Sequence, residues 1–199
     1  QRMERTAVSV SKELITKETK ISITLKRGLE PSVINTGVGF LNHMLDLFAF
    51  HGHFVLDVQV DGDTDVDDHH TTEDVGIVLG QLLAELGQDK GAINRYGSAY
   101  VPMDETLARS VIDISGRPYL SFNAAFSKEK VGSFDVELVE EFFHGLVINA
   151  RYTAHIDLIR GGNTHHEIEA IFKAFAQSLR IAMADSDVQR LPSSKGVIE

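Results

Sequence analysis

The sequence predicts an α+β fold made of two related halves, each a two-layer α/β sandwich in which a mainly antiparallel sheet carries helices packed on one face. Three observations predict it. Two adjacent histidines with a glutamate three residues on occur twice, in His69-His70-Thr71-Thr72-Glu73 and in His165-His166-Glu167-Ile168-Glu169. Each copy opens an apolar run of helical period, with Val75, Val78, Leu79 and Leu82 after the first and Ile171, Phe172, Phe175 and Leu179 after the second. Ahead of each copy, alternating segments and an earlier helical run follow one another in the same order. The repeat divides the chain into halves of roughly 90 to 100 residues, 1–91 and 92–199.

The elements can be justified in turn. Thr6 to Ile15 and Thr19 to Leu25 alternate apolar and polar residues, which reads as a hairpin turning at Thr16-Lys17-Glu18. After a loop from Gly28 to Gly37, the spacing of Phe40, Leu41, Met44, Leu45 and Phe48 predicts a helix that carries His43 and ends at Gly52. Phe54 to Val60 alternates as a half-buried strand, Asp61-Gly62-Asp63 turns it, and the first His-His helix runs to about Gly87. Gly91 to Gly97 links the halves. In the second half Ala99 to Val101, Leu107 to Ile114, Tyr119 to Phe126 and Arg151 to Ile159 read as strands. Phe134 to Ile148 reads as a helix, and Gly161-Gly162-Asn163-Thr164 leads into the second His-His helix. The tail from Arg190 to Glu199 has no element of its own.

Composition narrows the classes of function. With no cysteine the chain has no disulfide framework, no thiolate metal site and no thiol chemistry, which fits a reducing, cytoplasmic setting. A formal charge of −10, with no Lys/Arg cluster to offset it, disfavours nucleic acid as a partner. No apolar run approaches the ~18 residues of a membrane span, and Gln1-Arg2-Met3-Glu4-Arg5 does not read as a signal peptide.

The histidines carry the chemistry. Of the nine in the chain, His53, His144 and His155 read singly as ordinary surface or core residues, and His51, two turns after His43, as one that could face a pocket. A single His-His-x-x-Glu would read the same way, because acidic residues favour helix N-termini in any case. Two copies at equivalent positions point instead to metal. On a helix His69 and Glu73 share a face, while His70 is rotated by about 100°, so one helix serves two ions better than it chelates one. Imidazole with carboxylate suits a divalent first-row metal. Asp67 and Asp68 fit as cap and as partners that orient the imidazoles. Aligning the two halves sets Glu141 opposite His43, with His144 nearly a turn further on as the alternative. Arg95, Arg117, Lys173 and Lys195 stand near Gly, Ser or Pro turns in an acidic chain and suit an anion.

Taken together, Thr16-Lys17-Glu18-Thr19, Gly39-Phe40-Leu41-Asn42-His43-Met44, Asp67-Asp68-His69-His70, Arg95-Tyr96-Gly97, Pro102-Met103-Asp104-Glu105, Ser115-Gly116-Arg117-Pro118, Asn163-Thr164-His165-His166 and Ser193-Ser194-Lys195-Gly196 resemble the imidazoleglycerol-phosphate dehydratase family along nearly the whole chain. The resemblance implies a dehydratase of histidine biosynthesis that turns imidazole glycerol phosphate into imidazole acetol phosphate and water through a metal-bound imidazolate. It implies two Mn²⁺ ions per active site, held by His43, His69, His70, Glu73, Glu141, His165, His166 and Glu169. It implies Glu18 as the acid/base, with Arg95, Arg117, Lys173, Ser194 and Lys195 on the phosphate, His51 near the substrate, and a homo-oligomer of 24 subunits whose sites lie between subunits. Two other readings use the same donors. A metallohydrolase would activate water with them, but the chain has neither His-Glu-x-x-His nor its inverse. A metal-storage bundle would be all helix, whereas half of this chain reads as strand.

Overall fold

The computed structural model describes residues 8–17, 19–62, 68–88 and 92–186. β1 (Ser9–Ile15) and β2 (Thr19–Arg27) form the expected hairpin, closed where the Thr16 N–H donates to the Thr19 carbonyl at 2.9 Å. β3 (Val33–Asn35), α1 (Gly39–Gly52), β4 (Phe54–Gly62) and α2 (Asp68–Leu86) complete the first half. β5 (Tyr96–Met103), β6 (Thr106–Asp113), β7 (Tyr119–Asn123), the two-stranded ribbon β8 (Lys130–Val131) and β9 (Phe134–Asp135), α3 (Glu137–Ala150), β10 (Thr153–Arg160) and α4 (Thr164–Met183) make the second.

The two large sheets share one topology. The order is β1-β2-β4-β3 in one and β5-β6-β10-β7 in the other, antiparallel except for a parallel edge pair, β3 with β4 and β7 with β10. Alternation explains their one-sidedness. Ile21, Ile23, Leu25, Leu56 and Val58 point inward and are buried, as are Ala108, Ile112, Ala154 and Ile156. Among the helices, α2 packs on β1 and β2, α1 on β3 and β4, α4 on β5, β6 and β10, and α3 on β7. The helices of one half then meet those of the other, α1 against α4 and α2 against α3. Aromatic rings fill the centre of this helical layer: Phe143 lies 4.7 Å from Phe172 and 5.0 Å from Phe175, and Phe48 lies 6.2 Å from Phe175.

Two local readings differ from the sequence expectation. β3 lies inside the stretch expected to be loop, because three residues with one inward-facing Ile34 are too short to show a period. The helix expected from Phe134 begins at Glu137, since Phe134 and Asp135 pair with Val131 and Lys130. Phe134 is apolar because it is buried beside Phe40, with ring centres 4.8 Å apart, not because it belongs to the helical stripe.

The α2–α3 contact is close because glycine faces it. A Cβ on Gly76 would stand 2.6 Å from the Phe142 carbonyl oxygen, and one on Gly80 would collide with the Leu146 carbonyl. Gly80→Ala is expected to force the helices apart and cost about 1–3 kcal/mol, read as a lowered midpoint in urea. An unchanged midpoint would show that the helices can re-space freely.

Candidate functional site

The N-terminal ends of α2 and α4, and the faces of α1 and α3 that meet them, bring imidazoles and carboxylates together. On the α1–α4 side, His165 Nε2 lies 3.0 Å from Glu169 Oε2, one turn on, and His43 Nε2 lies 3.9 Å from Glu169 Oε1. Lys173, a further turn on, reaches Glu169 Oε1 at 3.4 Å. The His165 ring is propped edge-on against Phe40, with centres 5.4 Å apart. One ligand atom from each of His43, His165 and Glu169 falls within a 4.8 Å span. Two donors on one ion sit at most about 4.4 Å apart at bonds of ~2.2 Å, so small side-chain adjustments close the set on a cation.

The α2–α3 side repeats the pattern with other acids. His69 Nδ1 lies 3.8 Å from Glu141 Oε2, and its Nε2 faces Asp135 Oδ2 at 3.3 Å and Glu137 Oε1 at 3.6 Å. The register behind Glu141 is visible in the helices. α1 and α3 are each 14 residues long and each end in a left-handed cap, His53 and Arg151, and His43 and Glu141 stand the same number of residues ahead of those caps. His144 is exposed on the same helix, one turn later.

The adjacent histidines diverge as a helix requires. While His165 turns to His43 and Glu169, His166 Nδ1 meets Glu105 Oε2 at 3.0 Å. The Asn163 N–H, the residue's own N–H and His166 together hold the Glu105 carboxyl down to about 2. In the first half His70 and Glu73 are exposed at the start of α2, and Asp68 is its first residue. Glu18, Asp67, Ser194 and Lys195 lie outside the described residues.

The anion candidates fall into two groups. Lys173 belongs to the α1–α4 cluster. Near it, burial, then the charges of Lys173 and Arg180, push the His51 imidazole below its ordinary pKa, which keeps that ring neutral at pH 7. Arg95 and Arg117 instead meet at Asp113: Arg95 Nε donates to Oδ1 at 2.7 Å, and Arg117 Nη2 is 3.9 Å from Oδ2. The Arg95 N–H donates to the Ala182 carbonyl at 2.9 Å, at the far end of α4 from His165. At a rise of ~1.5 Å per residue those ends are about 25 Å apart, further than one small substrate spans.

Sequence reasoning missed Asp135, Glu137 and Glu105 as neighbours of the histidines. Reading Phe134 as helical hid the ribbon that aims Asp135 at His69. Glu105 stands in Pro102-Met103-Asp104-Glu105, but only the fold sets the β5–β6 turn against the start of α4.

The donor set is imidazole and carboxylate throughout, which fits a divalent first-row ion and not a thiophilic one. Comparison with known proteins agrees with the fold. The family model described as imidazoleglycerol-phosphate dehydratase matches residues 36–179. The chain is 69% identical to the imidazoleglycerol-phosphate dehydratase of Staphylococcus carnosus over 193 residues, 96% of this chain and 100% of the relative. It is 67% identical to that of Staphylococcus aureus strain JH9 over 188 residues, 94% of this chain and 98% of the relative. Among solved structures, the Staphylococcus aureus N315 enzyme superposes with a TM-score of 0.84 at 61% identity, covering 90% of this chain and 100% of that one. The Pyrococcus furiosus enzyme in complex with (S)-C348 superposes with a TM-score of 0.80 at 36% identity, covering 94% of this chain and 99% of that one. With one topology repeated in both halves, histidine clusters at matching helix starts and relatives of this identity along almost its full length, the chain belongs to the imidazoleglycerol-phosphate dehydratase family.

Proposed function

We propose that the chain removes water from imidazole glycerol phosphate to give imidazole acetol phosphate, a step of histidine biosynthesis in the cytoplasm, with two Mn²⁺ ions per active site. The observation that carries the reading is the cluster of His43, His165, Glu169 and Lys173, answered in the other half by His69 and Glu141, in a member of this family.

The difficulty of the reaction explains the inventory. The hydroxyl that leaves as water is on the carbon beside the imidazole ring; the proton to be removed is on the next carbon, with no carbonyl to acidify it, and the enol left behind, whose remaining hydroxyl is on that second carbon, becomes the ketone. When bound, the ions supply Lewis acidity to the ring and so accommodate the electron density that the side chain releases. His43, His69, His70, Glu73, Glu141, His165, His166 and Glu169 would hold them. Glu18 takes the proton at the carbon. Arg95, Arg117, Lys173, Ser194 and Lys195 hold the phosphate, and binding energy at that remote end fixes the reacting carbon. His51, kept neutral, lines the Lys173 side without competing for the phosphate.

The distance of about 25 Å along α4 between the end that meets Arg95 and the end that carries His165 supports a site assembled from more than one subunit. We take the assembly to be a homo-oligomer of 24 subunits.

Turnover of imidazole glycerol phosphate by the purified, metal-analysed protein tests the reading. A metallohydrolase or a storage protein would also bind metal but would leave this substrate untouched. The ligand assignment has its own test, a Mn²⁺ titration of three variants. Glu141→Ala is expected to weaken one of the two ions, Glu141→His to retain both, and His144→Ala to change little, because a residue three places on sits ~4.5 Å further along the helix. Loss of an ion from His144→Ala but not from Glu141→Ala would move the ligand to His144.

A further inference from the structure

We infer that Glu105 is a positioning residue that fixes the tautomer and the aim of His166. The inference rests on the proposed role of His166 as a metal ligand, and it is carried by a closed ring of hydrogen bonds at the start of α4.

Asp104 and Glu105 form the turn between β5 and β6, with Asp104 in the left-handed region at φ 50° and Thr106 Oγ1 bonded back to the Met103 carbonyl at 2.8 Å. This rigid turn holds the Glu105 carboxylate over the start of α4. Its Oε2 and Oε1 lie 3.0 and 3.1 Å from His166 Nδ1, and Oε1 also accepts the Asn163 N–H at 2.7 Å. Asn163 in turn caps the helix, its side-chain oxygen accepting the His166 N–H at 3.2 Å. Backbone and ring of His166 are therefore held by the same two residues. A Cβ on Gly162 would stand 2.6 Å from Glu105 Oε1, so the glycine leaves the space in which the carboxylate sits.

A carboxylate can only accept, so the proton of the His166 ring must be on Nδ1, and the lone pair is then on Nε2, on the side away from Glu105. A carboxylate behind an imidazole also raises the basicity of the outer nitrogen, as partners of metal-binding histidines do. Asp104, Glu105 and His166 together offer ligand atoms within 4.8 Å of one another, but both Glu105 oxygens face His166 Nδ1 and one also accepts the Asn163 N–H, so that Glu105 as placed acts through the imidazole. The duplication gives this residue a counterpart: Glu18 directly precedes Thr19, the first residue of β2, as Glu105 directly precedes Thr106, the first residue of β6.

Mn²⁺ affinity separates this from a merely structural role. Holoprotein would be competed with a chelator of known affinity, and released Mn²⁺ followed by electron paramagnetic resonance. Glu105→Ala is expected to weaken one of the two ions by about 10–100-fold. Glu105→Gln keeps an acceptor for the Asn163 N–H and for the ring proton but lacks the charge. It is expected to weaken the same ion less, with an unchanged melting temperature. His166→Ala is the control and is expected to lose that ion. Wild-type affinity in Glu105→Ala, or in Glu105→Gln should the alanine variant not assemble, while His166→Ala loses the ion, overturns the inference alone. Both ions retained in His166→Ala would overturn the ligand reading on which it rests.

Discussion

Stripping the divalent metal is expected to abolish dehydration and to loosen the assembly, and this is the largest effect the site predicts. Each cluster confronts imidazoles with carboxylates at distances an ion would bridge, as with His43 and His165 about Glu169 and His69 about Glu141. Without the ion these groups fall back on pairs such as His165 with Glu169, which form within one chain at 3.0 Å and do nothing to hold another subunit. Ligands contributed by separate subunits would lose their common partner. Light scattering before and after chelation, with metal analysis of the same sample and an assay after Mn²⁺ is restored, reads both effects. A particle of unchanged size that contains no metal would exclude a site shared between subunits.

Glu18→Gln is expected to keep fold, assembly and metal while lowering turnover by about 10²-fold or more. The amide is close in shape to the carboxylate but cannot take the proton from the carbon. The flanking Thr16 and Thr19 are bonded to each other through backbone and side chain, 2.8 Å between their hydroxyls, so the turn does not depend on the charge at position 18. The assay must separate kcat from KM, because a residue that only binds substrate would raise KM and leave kcat alone. Near-normal kcat would remove Glu18 from the chemistry.

The parts of the fold with strong periodicity were legible in the sequence, and the parts that depend on neighbours were not. The four long helices and the strands from Thr19, Phe54, Thr106 and Thr153 showed themselves because one face of each is buried, which writes a period of 3.6 or 2 into the chain. β3 and the β8–β9 ribbon are too short to carry a period and exist through their pairing. The histidines were legible because the motif recurs. Their acidic neighbours were not: Asp135 is an ordinary acid until the ribbon turns it toward His69, and Glu105 is a turn residue until the β5–β6 corner closes on Asn163. The separation of Arg95 from His165 along α4 is likewise invisible in sequence, since both read simply as residues of the second half.

The crossing of helices between the halves has a consequence for how such a molecule can exist at all. A lone copy of one half would expose the outer surface of its two helices, α1 and α2, which here meet α4 and α3. It would have to cover that surface with a second copy of itself, as a two-fold homodimer whose formation depends on concentration. Joining the copies on one chain makes the encounter intramolecular, at an effective concentration set by a short linker instead of by expression level. It also releases the two copies from identity. A homodimer must carry the same residue on both sides of its axis, whereas the fused pair can set His43 against Glu141 and add a ribbon to one side only.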